Sequence, residues 1–185
     1  MNLEAQNQII ALCLEEISRN PIAILEKLMA LPFCRMHGPE HHLLVGSALL
    51  TAYRNAGGQV NLPEALNELH SRASNVPGAA CGLWGACGAC LSAGQFFSII
   101  TGDGPLAGEP WGQCMKLTAK ALNSLAEVGG PRCCKRDSYL SILAAVDYVA
   151  ENLGISMEKT LPTCTRSQQN TQCIGARCPF FGGNE

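Results

Sequence analysis

A chain of 185 residues with a formal net charge of −2 is long enough to bury a core without covalent staples. Its charge balance gives no electrostatic footprint for nucleic acid, although Arg132, Lys135 and Arg136 form a local basic patch. No run of about 18 apolar residues is available to cross a bilayer. The opening Met-Asn-Leu-Glu-Ala-Gln-Asn-Gln also lacks the basic and apolar blocks of a secretory leader.

The apolar residues Leu3, Ile9, Ile10, Cys13, Leu14 and Ile17 recur at helical spacing and predict a first helix over 3–18. Asn20-Pro21 supplies a cap and a first-turn proline, predicting a short helix through Met29. A loop follows over 31–38. Pro39 then predicts a helix to Asn55, with Val45, Ala48, Leu49 and Ala52 on one face and Gly57-Gly58 as its stop. Pro63 opens another helix that runs to Arg72. The glycine- and proline-bearing stretch 75–88 reads as an ordered loop. Further helices are predicted over 89–100, 110–128 and 133–152, the last ended by Gly154. Beyond Pro162 the chain is polar and carries no periodicity, and no strand pattern occurs anywhere. The expected fold is all-α: a single-domain helical bundle of about seven helices over 1–160. An irregular, cysteine-bearing C-terminal tail over 161–185 is expected to pack back on it.

The default compartment is then the cytoplasm, which keeps thiols reduced. Eleven cysteines in clusters are therefore read as metal ligands or redox thiols rather than as a disulfide framework. Three groups stand out: Cys81-x5-Cys87-x2-Cys90, the doublet Cys133-Cys134, and Cys164-x8-Cys173-x4-Cys178 with Pro179 directly after it. Gly82, Gly85 and Gly88 let backbone N–H groups approach the sulfurs closely. Cys87 and Cys133-Cys134 sit at predicted helix starts, where the helix dipole favours thiolates and an anionic cluster. An iron–sulfur cluster, of the 4Fe–4S kind, is the leading expectation, with Cys81, Cys87, Cys133 and Cys134 as its ligands. Cys164, Cys173 and Cys178 would hold a second site or close over the first. Zinc is the alternative, pairing Cys87-x2-Cys90 with Cys173-x4-Cys178. Cys13 and Cys114 fall at core spacing, Cys90 reads equally as ligand and as a small buried hydrophobe, and Cys34 is open.

The loop Arg35-Met36-His37-Gly38-Pro39-Glu40-His41-His42 holds three of the four histidines. Pro39 puts His37 just outside a helix and His41-His42 in its first turn, a natural place for neutral imidazoles or an anion. His37, His41 and His42 are candidates for metal ligation or acid–base work, with Arg35 orienting an anionic substrate. Against this stands the bland reading that His41 packs on Val45 and His42 caps locally.

Four motifs in order give the chain a resemblance. They are Pro-Phe-Cys-Arg-Met-His-Gly-Pro-Glu-His-His (32–42), Cys-Gly-Leu-Trp-Gly-Ala-Cys-Gly-Ala (81–89), Gly-Gly-Pro-Arg-Cys-Cys-Lys-Arg (129–136) and Cys-Ile-Gly-Ala-Arg-Cys-Pro-Phe (173–180). Together they resemble a cysteine-rich domain of unknown function from anaerobic bacteria and archaea, sometimes fused to class I methyltransferases. The resemblance implies an anaerobic cytosolic setting, which suits oxygen-sensitive clusters, and it supplies no mechanism. In that pattern the positions of Cys34 and Cys90 need not be cysteine. No strand–glycine-loop–helix fingerprint of a methyltransferase occurs in the chain itself.

Three functions remain open on the sequence. The first is an iron–sulfur protein with a redox or small-molecule sulfur- or methyl-transfer role. The second is a zinc-stabilised module docking a methyltransferase or redox protein. The third is a metal-free thiol/disulfide protein, with Cys87-x2-Cys90 as its better couple. A small-molecule substrate is expected; no nucleic acid and no membrane are.

Overall fold

The computed structural model describes residues 3–183. Among them eight α-helices form: α1 (Leu3–Glu15), α2 (Pro21–Met29), α3 (His41–Asn55), α4 (Leu62–Ala73), α5 (Ala80–Leu83), α6 (Gly88–Thr101), α7 (Glu109–Val128) and α8 (Cys134–Leu153). The all-α expectation holds. The additional helix is α5, a single turn inside the stretch read as a loop. It starts after Ala79, which takes the left-handed conformation at φ 65°.

Local chemistry sets several of the boundaries. α1 stops before Ser18 because the Glu16 carboxylate accepts the Ile17 and Ser18 N–H groups, each at 3.0 Å, and turns the chain away. α2 begins where expected: Asn20 Oδ1 accepts from the N–H groups of Ile22 and Ala23 at 3.0 and 3.2 Å. Gly154, left-handed at φ 68°, ends α8.

α3 is the centre of the bundle. Every residue from His41 to Tyr53 is buried, as befits a helix packed on all sides. α2, α4, α6 and α8 surround it, and α7 lies against α6 and α8. Close approach at the middle depends on Gly46, where an added Cβ would stand 2.7 Å from Leu69 of α4. The Gly46 N–H donates to Ser92 Oγ of α6 at 2.9 Å. Edge-on aromatic pairs, Tyr53–Phe96 at 5.9 Å and Phe97–Tyr148 at 5.4 Å, fill the space between α3, α6 and α8.

The tail runs back over α2 and α8 through a few specific contacts. Thr160 Oγ1 accepts from Asn20 Nδ2 at 2.9 Å, and Arg166 pairs with Glu26 at 2.7 Å. The Tyr139 hydroxyl donates to the same Glu26 carboxylate. Phe180 is buried edge-on to Tyr139 at 5.2 Å. Two short 3-10 turns, Ser167–Gln169 and Gly175–Arg177, shape the rest. No described helix is long and apolar enough to cross a membrane.

Candidate metal centre

The start of α8 separates two neighbouring cysteines. Cys133 is the residue before the helix and Cys134 its first residue. Successive residues of a helix are turned by about 100°, so the two thiols face different hollows. Cys133 lines a cavity with Cys164, Cys173 and Cys178. Cys134 lines a chamber with Cys81 and Cys87. The sequence grouping of Cys81, Cys87, Cys133 and Cys134 is thus divided: Cys133 stands with the tail trio, and the other three remain together.

In the tail cavity, the amide two residues beyond each cysteine is turned toward that cysteine's sulfur. Arg166 N–H donates to Cys164 Sγ and Gly175 N–H to Cys173 Sγ, each at 3.4 Å. Gly175 reaches this position with φ at 57°, a conformation favouring glycine. Burial pushes the Cys133 and Cys178 thiols up. The N–H groups of Arg136 and Lys135 oppose the rise at Cys133, and that of Phe180 opposes it at Cys178. Asn170 adds a side-chain donor, Nδ2 to Cys133 Sγ at 3.6 Å. Lys135, Arg136 and Arg166 line the same cavity. Arg136 pairs with Asp137 and Arg166 with Glu26. Lys135, 2 % exposed, has among the described residues only Cys34 Sγ at 3.3 Å and the Arg35 carbonyl at 3.0 Å as partners. A buried ammonium with no carboxylate beside it calls for an anion.

Among the described residues no group of three or more His, Cys, Asp or Glu side chains is arranged to hold a single metal ion. Such an ion would draw sulfurs to about 2.3 Å from one point. The four thiols instead surround a free volume of about 20 Å³, enough for a water-sized body. The four sulfurs are a soft donor set of the kind iron and zinc take, and a group larger than one ion would need the tail to stand farther from Cys133 than it does here.

The family model for a family of unknown function, DUF5714, matches residues 9–181, a span containing both hollows. The chain belongs to that family. No curated protein and no solved structure matches it.

In this DUF5714 chain the chamber lies where three helices begin, at His41 of α3, Gly88 of α6 and Cys134 of α8. It has a free volume of about 210 Å³ and adjoins a second hollow of about 280 Å³, which shares Cys81, Cys87, Arg132 and Asp137 with it. All three sequence-chosen histidines and Arg35 line it. His41 Nδ1–H donates to the Gly38 carbonyl at 3.0 Å and His42 Nδ1–H to the Val76 carbonyl at 3.3 Å. A carbonyl can only accept, so each ring keeps its Nε2 lone pair free. Burial holds His41 neutral, with its pKa lowered to about 4, and lowers His42 in the same direction. The His42 ring lies so close to Gly88 that a Cβ there would come within 2.1 Å of it. Arg35 is tied to Glu40 at 2.6 Å.

At α6 the hydrogen bond between the Cys87 and Cys90 thiols, with burial, pushes Cys87 up, and the same bond pulls Cys90 down. Cys90 is fully buried, with its sulfur 3.4 Å from Ser141 Oγ. Cys134 is pushed up to about 11 by burial, against the Gly38 N–H. Cys13 and Cys114 are core residues, as their spacing implied.

Sequence reasoning left Cys34 open and missed two further participants, Asn170 and Asp137. Cys34 sits 3.9 Å from the free Nε2 of His41 and 3.3 Å from Lys135 Nζ, which lies 101 positions away in the chain. Asn170 joins the two hollows: its Oδ1 accepts from His37 Nε2 at 3.0 Å while its Nδ2 reaches Cys133. Asp137, buried beside Arg136, faces the chamber. The basic cluster around residue 135 was visible, but nothing local said it was buried.

Proposed function

We propose that this chain is an iron–sulfur protein whose cluster is held by Cys133, Cys164, Cys173 and Cys178. The observation that carries the reading is the shared cavity: four thiols, an amide turned to each sulfur, and three largely buried cations around them. N–H groups directed at sulfur and nearby positive charge are the levers by which a protein holds an anionic cluster and sets its potential. A cluster there supplies one-electron transfer. The residues of the chain do the rest: Lys135 offsets negative charge, Asn170 links Cys133 to His37, and Phe180 with Tyr139 keeps one side of the cavity apolar. The histidine- and arginine-lined chamber across Cys133-Cys134 is where a small anionic reactant would be handled.

Purification without air, followed by iron, zinc and sulfide analysis and a visible spectrum, tests the reading. A brown protein with bound iron and sulfide is expected, and Cys178→Ser should strip that colour from a still-helical chain. A colourless protein carrying zinc would overturn the reading and favour the interaction module.

A further inference from the structure

We propose that the chamber at the starts of α3, α6 and α8 is a second metal centre, held by Cys81, Cys87 and Cys134, with one coordination position left to a small anion from solution. This goes beyond the tail cluster and does not depend on it.

The chain's other cysteines are engaged elsewhere. Four line the tail cavity, Cys13, Cys90 and Cys114 are buried in the core, and Cys34 faces Lys135 and His41. Three thiols therefore line the chamber and no fourth joins them. Two of the three stand at helix starts, Cys87 before α6 and Cys134 opening α8. There the amides of Ala89 and Gly38 face the two sulfurs and offset part of what burial costs their charged form, so that a soft metal could complete the deprotonation. The free volume, about 210 Å³ with 280 Å³ adjoining, exceeds what one tetrahedral ion leaves open and gives room for a cluster and a ligand together.

Two further observations point to an occupant. His37 Nδ1 is shut from solvent with no hydrogen-bond partner. Its Nε2 carries the proton that Asn170 Oδ1 accepts, so Nδ1 is a bare lone pair on a residue lining the chamber. Arg132, exposed at the edge of both hollows, makes no ion pair or hydrogen bond among the described residues. A free guanidinium beside three helix starts selects negative charge. The ligand class is accordingly a small anion able to bind a metal through oxygen, sulfur or carbon.

Metal content of full-length variants purified without air tests the proposal. Cys81 lies half-buried on the one-turn α5, so Cys81→Ala leaves the core untouched; Cys134→Ala is the second probe, with circular dichroism as the check on folding. Each should lose part of the wild-type iron, and Cys173→Ala should lose the remainder. If Cys81→Ala and Cys134→Ala keep all the metal, this proposal is overturned while the tail cluster stands. If Cys173→Ala keeps all of it and the chamber variants keep none, the tail reading falls and this one survives. Cyanide serves as the probe of the open position. Added to the reduced wild-type protein, it should shift an electron paramagnetic resonance signal that Cys81→Ala lacks, and Arg132→Ala should need severalfold more of it. A signal indifferent to cyanide would overturn the open position.

Discussion

The helical body and the cysteine tail are held by different forces. Along α3 every side chain from His41 to Tyr53 is buried, and Leu44, Leu49, Leu50, Phe96 and Phe97 are closed to solvent around it. Over 161–183 only Asn170 and Phe180 are buried. Ordering a residue's backbone costs roughly 1–2 kcal/mol, and burying one phenylalanine returns only about 1.5–3 kcal/mol. Apolar burial can therefore order the body and cannot order the tail. What the tail has instead is sulfur: its three cysteines, gathered round Cys133 with amides turned toward them. On the proposed reading the body is a scaffold ordered by its own core, and the tail is ordered by what its thiols would hold.

Removing the proposed metal is the strongest way to break that comparison. Chelation, or Cys178→Ser, should raise amide exchange across 163–181 by orders of magnitude, because structural ligation often supplies about 10 kcal/mol or more. Amides of α3 and α6 should keep their protection. Loss of both together would mean that body and tail are one cooperative unit. The converse experiment is Phe96→Ala, which should cost about 3–5 kcal/mol by leaving a cavity between α3 and α6. Its denaturation midpoint should fall while metal per folded chain stays at the wild-type value.

Acid offers a third separation. His41 is buried neutral, with a folded-state pKa of about 4 against an ordinary value of 6.5. Between those values the unfolded chain takes the proton and the folded chain does not, so stability falls as pH falls. The contribution is fully present above pH 6.5 and is lost progressively toward pH 4, on the order of 3 kcal/mol in all. His42, lowered by the same cause, acts with the same sign. Urea denaturation across that range should show the loss in wild type and a flatter profile in His41→Asn. An equal slope in the variant would remove His41 from the account.

How much of this was legible follows from how local each cause is. The Asn20-Pro21 cap, Gly154 and the core positions Cys13 and Cys114 are decided within a turn or two, and the structure has them as expected. The end of α1 was missed because Glu16, a good helix former, spends its carboxylate on Ile17 and Ser18. α5 was missed because a single turn has no period to read. Seven of the eight clustered cysteines and three histidines do line two neighbouring hollows, but which thiol faces which depends on the angular phase at the start of α8. That phase is fixed by packing against α2, α3, α6 and α7, and no spacing in the chain encodes it. Cys34 and Lys135 meet across 101 positions, and only folding puts them together.

The smallest effect lies at the seam itself. Asn20 serves both halves: its Oδ1 caps α2 through Ile22 and Ala23, and its Nδ2 donates to Thr160 where the tail begins. Asn20→Ala removes all three bonds and should lower the body's stability by about 1 kcal/mol. Asn20→Ser keeps an oxygen for the cap and has no amide to offer Thr160. Its body should therefore unfold within a few tenths of a kcal/mol of wild type, while amides just after Thr160 exchange faster. If both variants leave those amides unchanged, the tether is idle and the tail is held by its contacts farther on, at Arg166, Phe180 and the sulfurs. If Asn20→Ser loosens the tail as far as Cys164, the first ligand is positioned from α2, and body and tail share one hydrogen bond in the control of the metal site.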